Sequence, residues 1–556
     1  MKIVLKKVEN LNSDNNIYTV NKLLDSMDYE DINNQAYEIS IKWSNGIEDL
    51  FIINGDFIAP VAQLDVYNFF KEYLTAIKIY KKLINLNKNI ILDNSNKLLI
   101  QNLMKINKVT GNKLVFETKR YIIEKKHLKN KLLEITKRNF KENYIKYLLG
   151  LFVKKKKKNQ EDIIVFADVY NRPTNEMLNL VSSNIEKPNI IITSEPRISK
   201  HFFMNKGIPL GSFINLKLLI KFIRERFIYS KRLKKIKNKI SLDFGNKAIN
   251  RLISSEFEKK IKKLFLTCLL DNYILHNLIN EINPKLIILG TDCHRLSRHL
   301  VIISKKYNIK SLVLQHGATN GKYGFAPLFA NKIAVWGNIS KKILIDWGIP
   351  EENIIITGNP RFKKIKSYRQ KNCCKSKYTE KLKILVALSP YEKDVTVEIL
   401  TLVLEAVKNI KDITLIVKPH PSEKNIYYYE EIIKRYNYID VILDEKSSTN
   451  YLLADSDVVV SAQSTIGIEA LLFGKTLIEI DSKRISKKIP YDKYNCCYQV
   501  KNVDDFINAI ASIREKDSSF NTIMNNSNKF LYDYLGDPNT NTYKKIKEFI
   551  NILLGE

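Results

Sequence analysis

Residues 457–479 constrain the fold more tightly than any other stretch. Asp457-Val458-Val459-Val460 is short, apolar and β-branched, the pattern of a strand buried on both faces of a parallel sheet. Ser461, Ser464 and Thr465 follow it, and Ile466–Phe473 then has the pattern of a helix. Small hydroxyl residues between a strand and a helix N-terminus suit an anion, because free backbone N–H groups and the helix dipole converge there. Glu469 falls about one turn into that helix, where a carboxylate can accept two hydrogen bonds from a ribose diol beside a bound phosphate. The same pattern also fits an ordinary strand–helix–strand unit whose Ser464 and Thr465 merely cap the helix.

A second stretch weighs on that choice. The apolar run Ile413–Val417 leads directly into Lys418-Pro419-His420-Pro421-Ser422-Glu423. Two prolines stiffen the chain on either side of His420. In an open α/β sheet the C-terminal edge of the strands is where ligands bind. His420 and Ser464 are therefore expected on one edge, facing one phosphate or pyrophosphate.

The chain has 556 residues, enough for several domain-sized units with sizeable cores. A hydrophobic content of 45% excludes a disordered chain. Lysine and arginine outnumber aspartate and glutamate by 91 to 59, giving +32. The excess reads either as drift in a Lys-, Asn- and Ile-rich sequence or as attraction to an anionic surface. No zinc-finger, RNA-recognition or helix-turn-helix signature occurs, so a membrane surface is expected ahead of nucleic acid. Six cysteines, two pairs of them adjacent (Cys373-Cys374 and Cys496-Cys497), suit neither a disulfide scaffold nor a metal site. The opening MKIVLKKVENLNSDNN has no apolar core of signal-peptide length, and no apolar run approaches the ~20 residues of a spanning helix. A cytoplasmic protein is expected, soluble or peripheral at the inner face of the cell membrane.

Residues 1–158 are expected to form an accessory α/β segment, with strands at Leu50–Ile53 and Ile90–Leu92 and an amphipathic helix at Val66–Leu86 between them. Asp56 and Asp93 follow those strands as turn residues or caps. Tyr144–Val153 and Lys154–Lys158 close the segment, as a solvated linker or as an interfacial patch. Residues 159–362 then alternate short hydrophobic strands (Ile163–Ala167, Ile190–Thr193, Leu286–Leu289, Ser311–Leu314, Ile333–Val335) with helical or polar stretches, which predicts a parallel, doubly wound sheet. A basic insertion, Phe213–Ile240, interrupts the rhythm and reads as a core-packing helix with a charged outer face or as a membrane-surface helix. Gly290-Thr291-Asp292-Cys293-His294-Arg295 and Gln315-His316-Gly317-Ala318 end two of these strands. Asp292 and His316 can therefore face one crevice, although Asp292 can equally cap a helix and His316 can be structural. Residues 363–380 read as a linker. Residues 381–535 repeat the rhythm from Lys383–Leu388 with Ser389-Pro390 onward, and residues 536–556 read as a C-terminal helix. Asp455-Ser456-Asp457 has the spacing of a metal-binding Asp-x-Asp but precedes a buried strand, so it is read as a turn and no metal site is expected.

On these residues the chain resembles glycosyltransferases of the GT-B fold. It is most similar to enzymes that build capsule, teichoic acid and other surface polymers: CDP-glycerol glycerophosphotransferases and the bacterial polysialyl- and Kdo-transferases. LVLQHGA and IIITGNPRF, between Leu312 and Phe362, also resemble UDP-GlcNAc 2-epimerases. The resemblance spans roughly residues 160–535. It implies an α/β protein of two tandem Rossmann-like domains preceded by the accessory segment, the first binding acceptor and the second the nucleotide donor. It implies that His420, with Pro421, Ser461, Ser464 and Thr465, meets the donor phosphate, that Ser389 lies near the phosphates and that Glu469 holds the ribose. His316 corresponds to the His-Gly of the glycerophosphotransferases, where that histidine is a candidate base. Gln315 stands where those enzymes usually have Trp, and Gly290-Thr291-Asp292 only partly replaces the acidic-acidic-Gly motif of the polysialyltransferases.

The expected activity is metal-independent transfer of a sugar unit, or of a polyol phosphate, from a nucleotide-activated donor to a cell-surface glycan or lipid-linked acceptor. His316, or else Asp292, is the expected base, and no cofactor is expected beyond the donor itself. The alternatives are a non-hydrolysing UDP-N-acetylhexosamine 2-epimerase and a non-catalytic carbohydrate- or membrane-binding protein.

Overall fold

The computed structural model describes residues 2–6, 17–18, 23–85, 90–93, 97–111, 115–118, 164–167, 172–193, 207–237, 239–240, 242–319, 321–360, 362, 381–389, 393–408, 410–420, 423, 426–436, 440–482, 485, 487, 489–537 and 541–555. The expected linker 363–380, the stretch 144–158 and Pro421 lie outside these residues. The chain divides into two compact units, one of residues 1–316, 322–333 and 547–556 and the other of 317–321 and 334–546.

The first unit opens with six strands: β1 (Lys2–Lys6), β2 (Ile17–Tyr18), β3 (Ile52–Ile53), β4 (Asp56–Phe57), β5 (Ile90–Asp93) and β6 (Val115–Thr118). β2, β5, β1 and β6 form a parallel sheet in that order. Where a strand was expected at Leu50–Ile53, the chain makes a 3-10 turn over Glu48–Phe51 and then the β3–β4 hairpin. Asn54 (φ 51°) and Gly55 (φ 80°) supply the paired left-handed residues of its two-residue turn. The expected amphipathic helix runs over Gln63–Asn85. Its Phe69 and Phe70 pack on Phe257, at ring-centroid distances of 5.3 and 4.8 Å. Phe257 belongs to a 36-residue helix, Lys247–Ile282, capped at its start by Asn246. This aromatic cluster gives the helix Gln63–Asn85 and the long helix a shared core.

Seven further strands follow: β7 (Ile164–Ala167), β8 (Asn189–Thr193), β9 (Gly207–Pro209), β10 (Leu286–Leu289), β11 (Lys310–Leu314), β12 (Lys332–Val335) and β13 (Ile354–Ile356). Their sheet order is β9-β8-β7-β10-β11-β12-β13. Chain order thus runs outward from β7 in one direction and, after a crossover, outward from β10 in the other, the doubly wound arrangement.

A further sheet, made wholly of residues of the second unit, repeats it with β14 (Leu382–Ala387), β15 (Ile413–Lys418), β16 (Val441–Leu443), β17 (Val458–Ser461), β18 (Thr476–Ile480) and β19 (Tyr498–Val500). All five pairings in the order β16-β15-β14-β17-β18-β19 are parallel. Ile384, Val386, Leu415, Val417, Val458 and Val460 face one apolar layer, while Leu385, Ile416, Val459 and Leu477 face the other. Covering both faces is what makes these strands uniformly apolar. The chain is therefore an α/β protein with two Rossmann-like sheets in series, as expected.

Candidate functional site

In the second unit the crossover places β14 beside β17, and β15 flanks β14 on the other side. Ala387 pairs with Lys418, and Val386 with Val460, so the three strands end level. Ser389, His420 and the Ser464–Thr465 turn therefore emerge on one edge at the point where strand order reverses, the usual ligand position of an open sheet. Ser464 caps the helix Thr465–Leu472 and accepts from the Ile466 amide at 3.5 Å, while Thr465 is exposed at its first position. Glu469 is buried on that helix at 6% exposure. His420 is half-buried; burial lowers its proton affinity and the Glu423 carboxylate works the other way.

A buried acid shapes this turn. Glu479 is fully buried and accepts from the Ser461 hydroxyl at 2.9 Å and from the Gln463 amide. Ser461 was expected at the donor; instead its hydroxyl is buried and committed to Glu479. Gln463 takes a left-handed conformation (φ 46°), rare for a residue with a side chain. Its side-chain oxygen accepts from the Ile489 amide at 2.8 Å, which ties the turn to the chain beyond β18. The Tyr491 hydroxyl donates to the Ser464 carbonyl at 3.0 Å. At Gly467 any Cβ would come within 2.5 Å of that hydroxyl, so only glycine fits. Burial pushes the Glu479 carboxyl up to about 7, partly offset by the Gln463 and Ser461 donors. Neither Glu479 nor Gln463 is a sequence-predicted site residue. The readable signal was the in-register pairing of two four-residue runs, which sets Ser461 beside Glu479.

Three other charged groups near this sheet are committed elsewhere. Lys418 donates to the carbonyls of Glu445 and Ser447, both at 2.8 Å, and so ties β15 to the loop after β16. Asp455 pairs with Lys383 at 3.0 Å and Asp457 accepts from the Lys383 amide at 2.9 Å. Both acids thus lie at the N-terminal edge of the sheet, away from Ser464; Asp455 ends the helix Thr449–Asp455, where a turn was expected, and Asp457 immediately precedes β17.

In the first unit His316 follows β11 and its ring stacks on Phe325 at 5.2 Å. Protein surrounds nearly all of the ring although some surface remains, and its Nδ1 has no hydrogen-bond partner. Burial, with a smaller push from nearby His294, lowers its pKa to about 4. Asp292 was expected as an alternative base. It is buried, and one carboxylate oxygen accepts from the amides of Phe329 (2.6 Å) and Ala330 (2.9 Å). Burial raises its pKa against the pull of neighbouring Arg298. Those bonds make Asp292 a clasp on the approach to β12. Asp56, expected as a turn residue, is likewise buried and accepts from Asn272 (2.9 Å) and binds His276 (2.7 Å).

Residues 385–480 match the model of a family described as capsule polysaccharide biosynthesis protein. The matched segment begins in β14 and ends in β18, and it lies wholly in the second unit. It contains Ser389, His420, Ser464, Thr465, Glu469 and Glu479, and excludes Asp292 and His316. The comparison with curated proteins returns no match. Among solved structures, a putative UDP-N-acetylglucosamine 2-epimerase from Listeria monocytogenes is 14% identical with a TM-score of 0.47, over 70% of this chain and 96% of that one. A UDP-GlcNAc 2-epimerase from Neisseria meningitidis, bound to UDP-GlcNAc, is 13% identical with a TM-score of 0.47, over 70% and 99%. A glycosyltransferase from Rickettsia africae is 15% identical with a TM-score of 0.45, over 71% and 99%.

Proposed function

We propose that the protein is a glycosyltransferase of surface-polysaccharide synthesis, which moves a sugar unit from a nucleotide-activated donor onto a glycan or lipid-linked acceptor. The observation that carries this reading is the gathering of Ser389, His420 and the Ser464–Thr465 helix start on one crossover edge within the capsule-family segment. The donor diphosphate sits against the first-turn amides of the helix Thr465–Leu472, with His420 donating to a phosphate oxygen. Glu469 receives the ribose hydroxyls. The acceptor oxygen forms the new bond to the sugar's anomeric carbon, the bond to the diphosphate oxygen breaks, and the acceptor proton passes to a base, for which His316 is the candidate. Burial keeps the His316 ring neutral, the form a base requires. A polyol-phosphate donor would use the same phosphate contacts.

A thermal-shift panel of CMP, CDP, UDP, GDP and their sugar or glycerol conjugates, without added metal, tests the donor site. A ligand that binds only the folded state raises the melting temperature. One nucleotide class should raise it, and the rise should vanish in His420→Ala. No shift with any nucleotide overturns the donor assignment. Epimerisation of a UDP-N-acetylhexosamine in the absence of acceptor would establish the rival activity.

A further inference from the structure

We propose that the helix Leu216–Arg232 docks the first unit on a membrane surface rich in anionic phospholipid, and that the pocket beside it seats a headgroup phosphate. The helix starts at Asn215, whose side chain accepts from the Leu218 amide at 2.8 Å. Its inner face is anchored by buried Leu218 and Phe222, by Tyr229 against Phe265, and by Glu225 bonded to the Tyr273 hydroxyl. The opposite face is apolar as well. Leu216, Ile220, Ile223 and Phe227 recur at helical spacing and are 73%, 60%, 58% and 69% exposed. Of the two readings of this insertion, the core-packing helix with a charged outer face does not match that surface. A line of large apolar side chains in water marks a surface built to be covered.

Charge says by what. Lys217, Lys221, Arg224, Arg226, Lys231, Arg232, Lys234, Lys235, Lys237 and Lys239 lie between residues 216 and 240, against the single acid Glu225, which is turned inward. Two copies meeting through this stripe would oppose two positive flanks, and a nucleic acid would leave the apolar line unused. Anionic lipid satisfies both features, with apolar side chains at the acyl boundary and lysines at the headgroups. The pocket along the same helix, about 440 Å³, is lined by Lys217, Lys221, Lys306, His276, Asn215 and Tyr307. Lys306 is fixed by the Asn54 carbonyl at 2.6 Å, and His276 by Asp56 and by the Tyr307 hydroxyl at 2.9 Å. No helix among the described residues is long and apolar enough to cross a membrane, so the contact is interfacial.

Flotation of the full chain with vesicles tests this without any turnover assay, so it stands or falls apart from the transfer chemistry. The protein should float with phosphatidylcholine vesicles containing phosphatidylglycerol and remain behind with phosphatidylcholine alone. Ile220→Ser/Ile223→Ser/Phe227→Ser should cut binding about tenfold or more even at low salt, with an unchanged melting temperature. Should that variant fail to fold, Ile220→Glu alone carries the same expectation. Lys217→Gln/Lys221→Gln should weaken the preference for phosphatidylglycerol. Absence of wild-type binding, or stripe variants that float like wild type, overturns the proposal. So does a wild-type dimer that the stripe variants convert to monomer without loss of vesicle binding.

Discussion

The Ser461 hydroxyl donates to the Glu479 carboxylate at 2.9 Å, across two adjacent parallel strands. A strand-end hydroxyl next to a candidate phosphate site is thereby spent on holding the turn that makes the site. Glu479 carries a folded pKa of about 7 against an ordinary 4.5. The folded state therefore binds more protons than the unfolded one between those values, and stability falls as pH rises through that window. Glu479→Gln should remove this decline, worth roughly 3 kcal/mol across the window. Urea unfolding at pH 5 and 7.5 measures it; equal slopes in wild type and variant would refute a buried acid in this state.

Histidines oppose that trend. Burial holds both His299 and His316 at about 4, below the ordinary 6.5. Here the unfolded chain binds the extra protons, so stability is full above pH 6.5 and is lost as pH falls towards 4, by roughly 3 kcal/mol for each group. Two histidines against one carboxyl leave a net loss on acidification. His299→Gln should flatten the acid limb of a plot of melting temperature against pH, and an unaltered limb would count against a neutral buried ring.

Asp292→Ala strips the acceptor from two backbone amides. Orphaned buried donors cost about 1–3 kcal/mol each, so the variant should lose roughly 2–5 kcal/mol in urea unfolding. Asp292→Asn, which retains an acceptor oxygen, should lose less. Wild-type stability joined to abolished turnover in Asp292→Ala would return this residue to the role of base.

His420→Ala should leave urea unfolding close to wild type, because the ring is half-buried at a sheet edge. Nucleotide affinity should fall about tenfold or more for a lost charge-assisted phosphate contact. Calorimetric titration with the nucleotide selected by thermal shift reads this directly; unchanged affinity removes His420 from the donor site.

The second sheet was legible because strands covered on both faces become unbroken apolar runs, and β15 and β17 end in Lys418 and Ser461 while Ser389 follows β14 by two residues, polar signals that announce the ligand edge. The hairpin at Ile52–Phe57 was not, because two-residue strands leave no periodicity; only Asn54-Gly55 carried a turn signal. β1 hid among lysines. The bonds of Asp292 and Ser461 were not legible for one reason: a polar group at a strand end looks alike in sequence whether it faces a ligand, a backbone amide 37 residues away as Asp292 does, or a buried acid as Ser461 does. The role of Glu479 left no local signal because its partners, Ser461 and the Gln463 amide, come from the end of β17 and the turn after it.

The order β2-β5-β1-β6 has a consequence for biosynthesis. Ile3 pairs with Ile90 on one side and with Phe116 on the other. The first strand of that sheet to be made is thus an inner strand whose neighbours are the last of the sheet to follow. Its ladder cannot close until both have emerged, and loop closure over such spans is slow. Until then the nascent chain carries an unpaired strand with two open edges, and it is in this interval that a chaperone, or a misplaced neighbour, would find it.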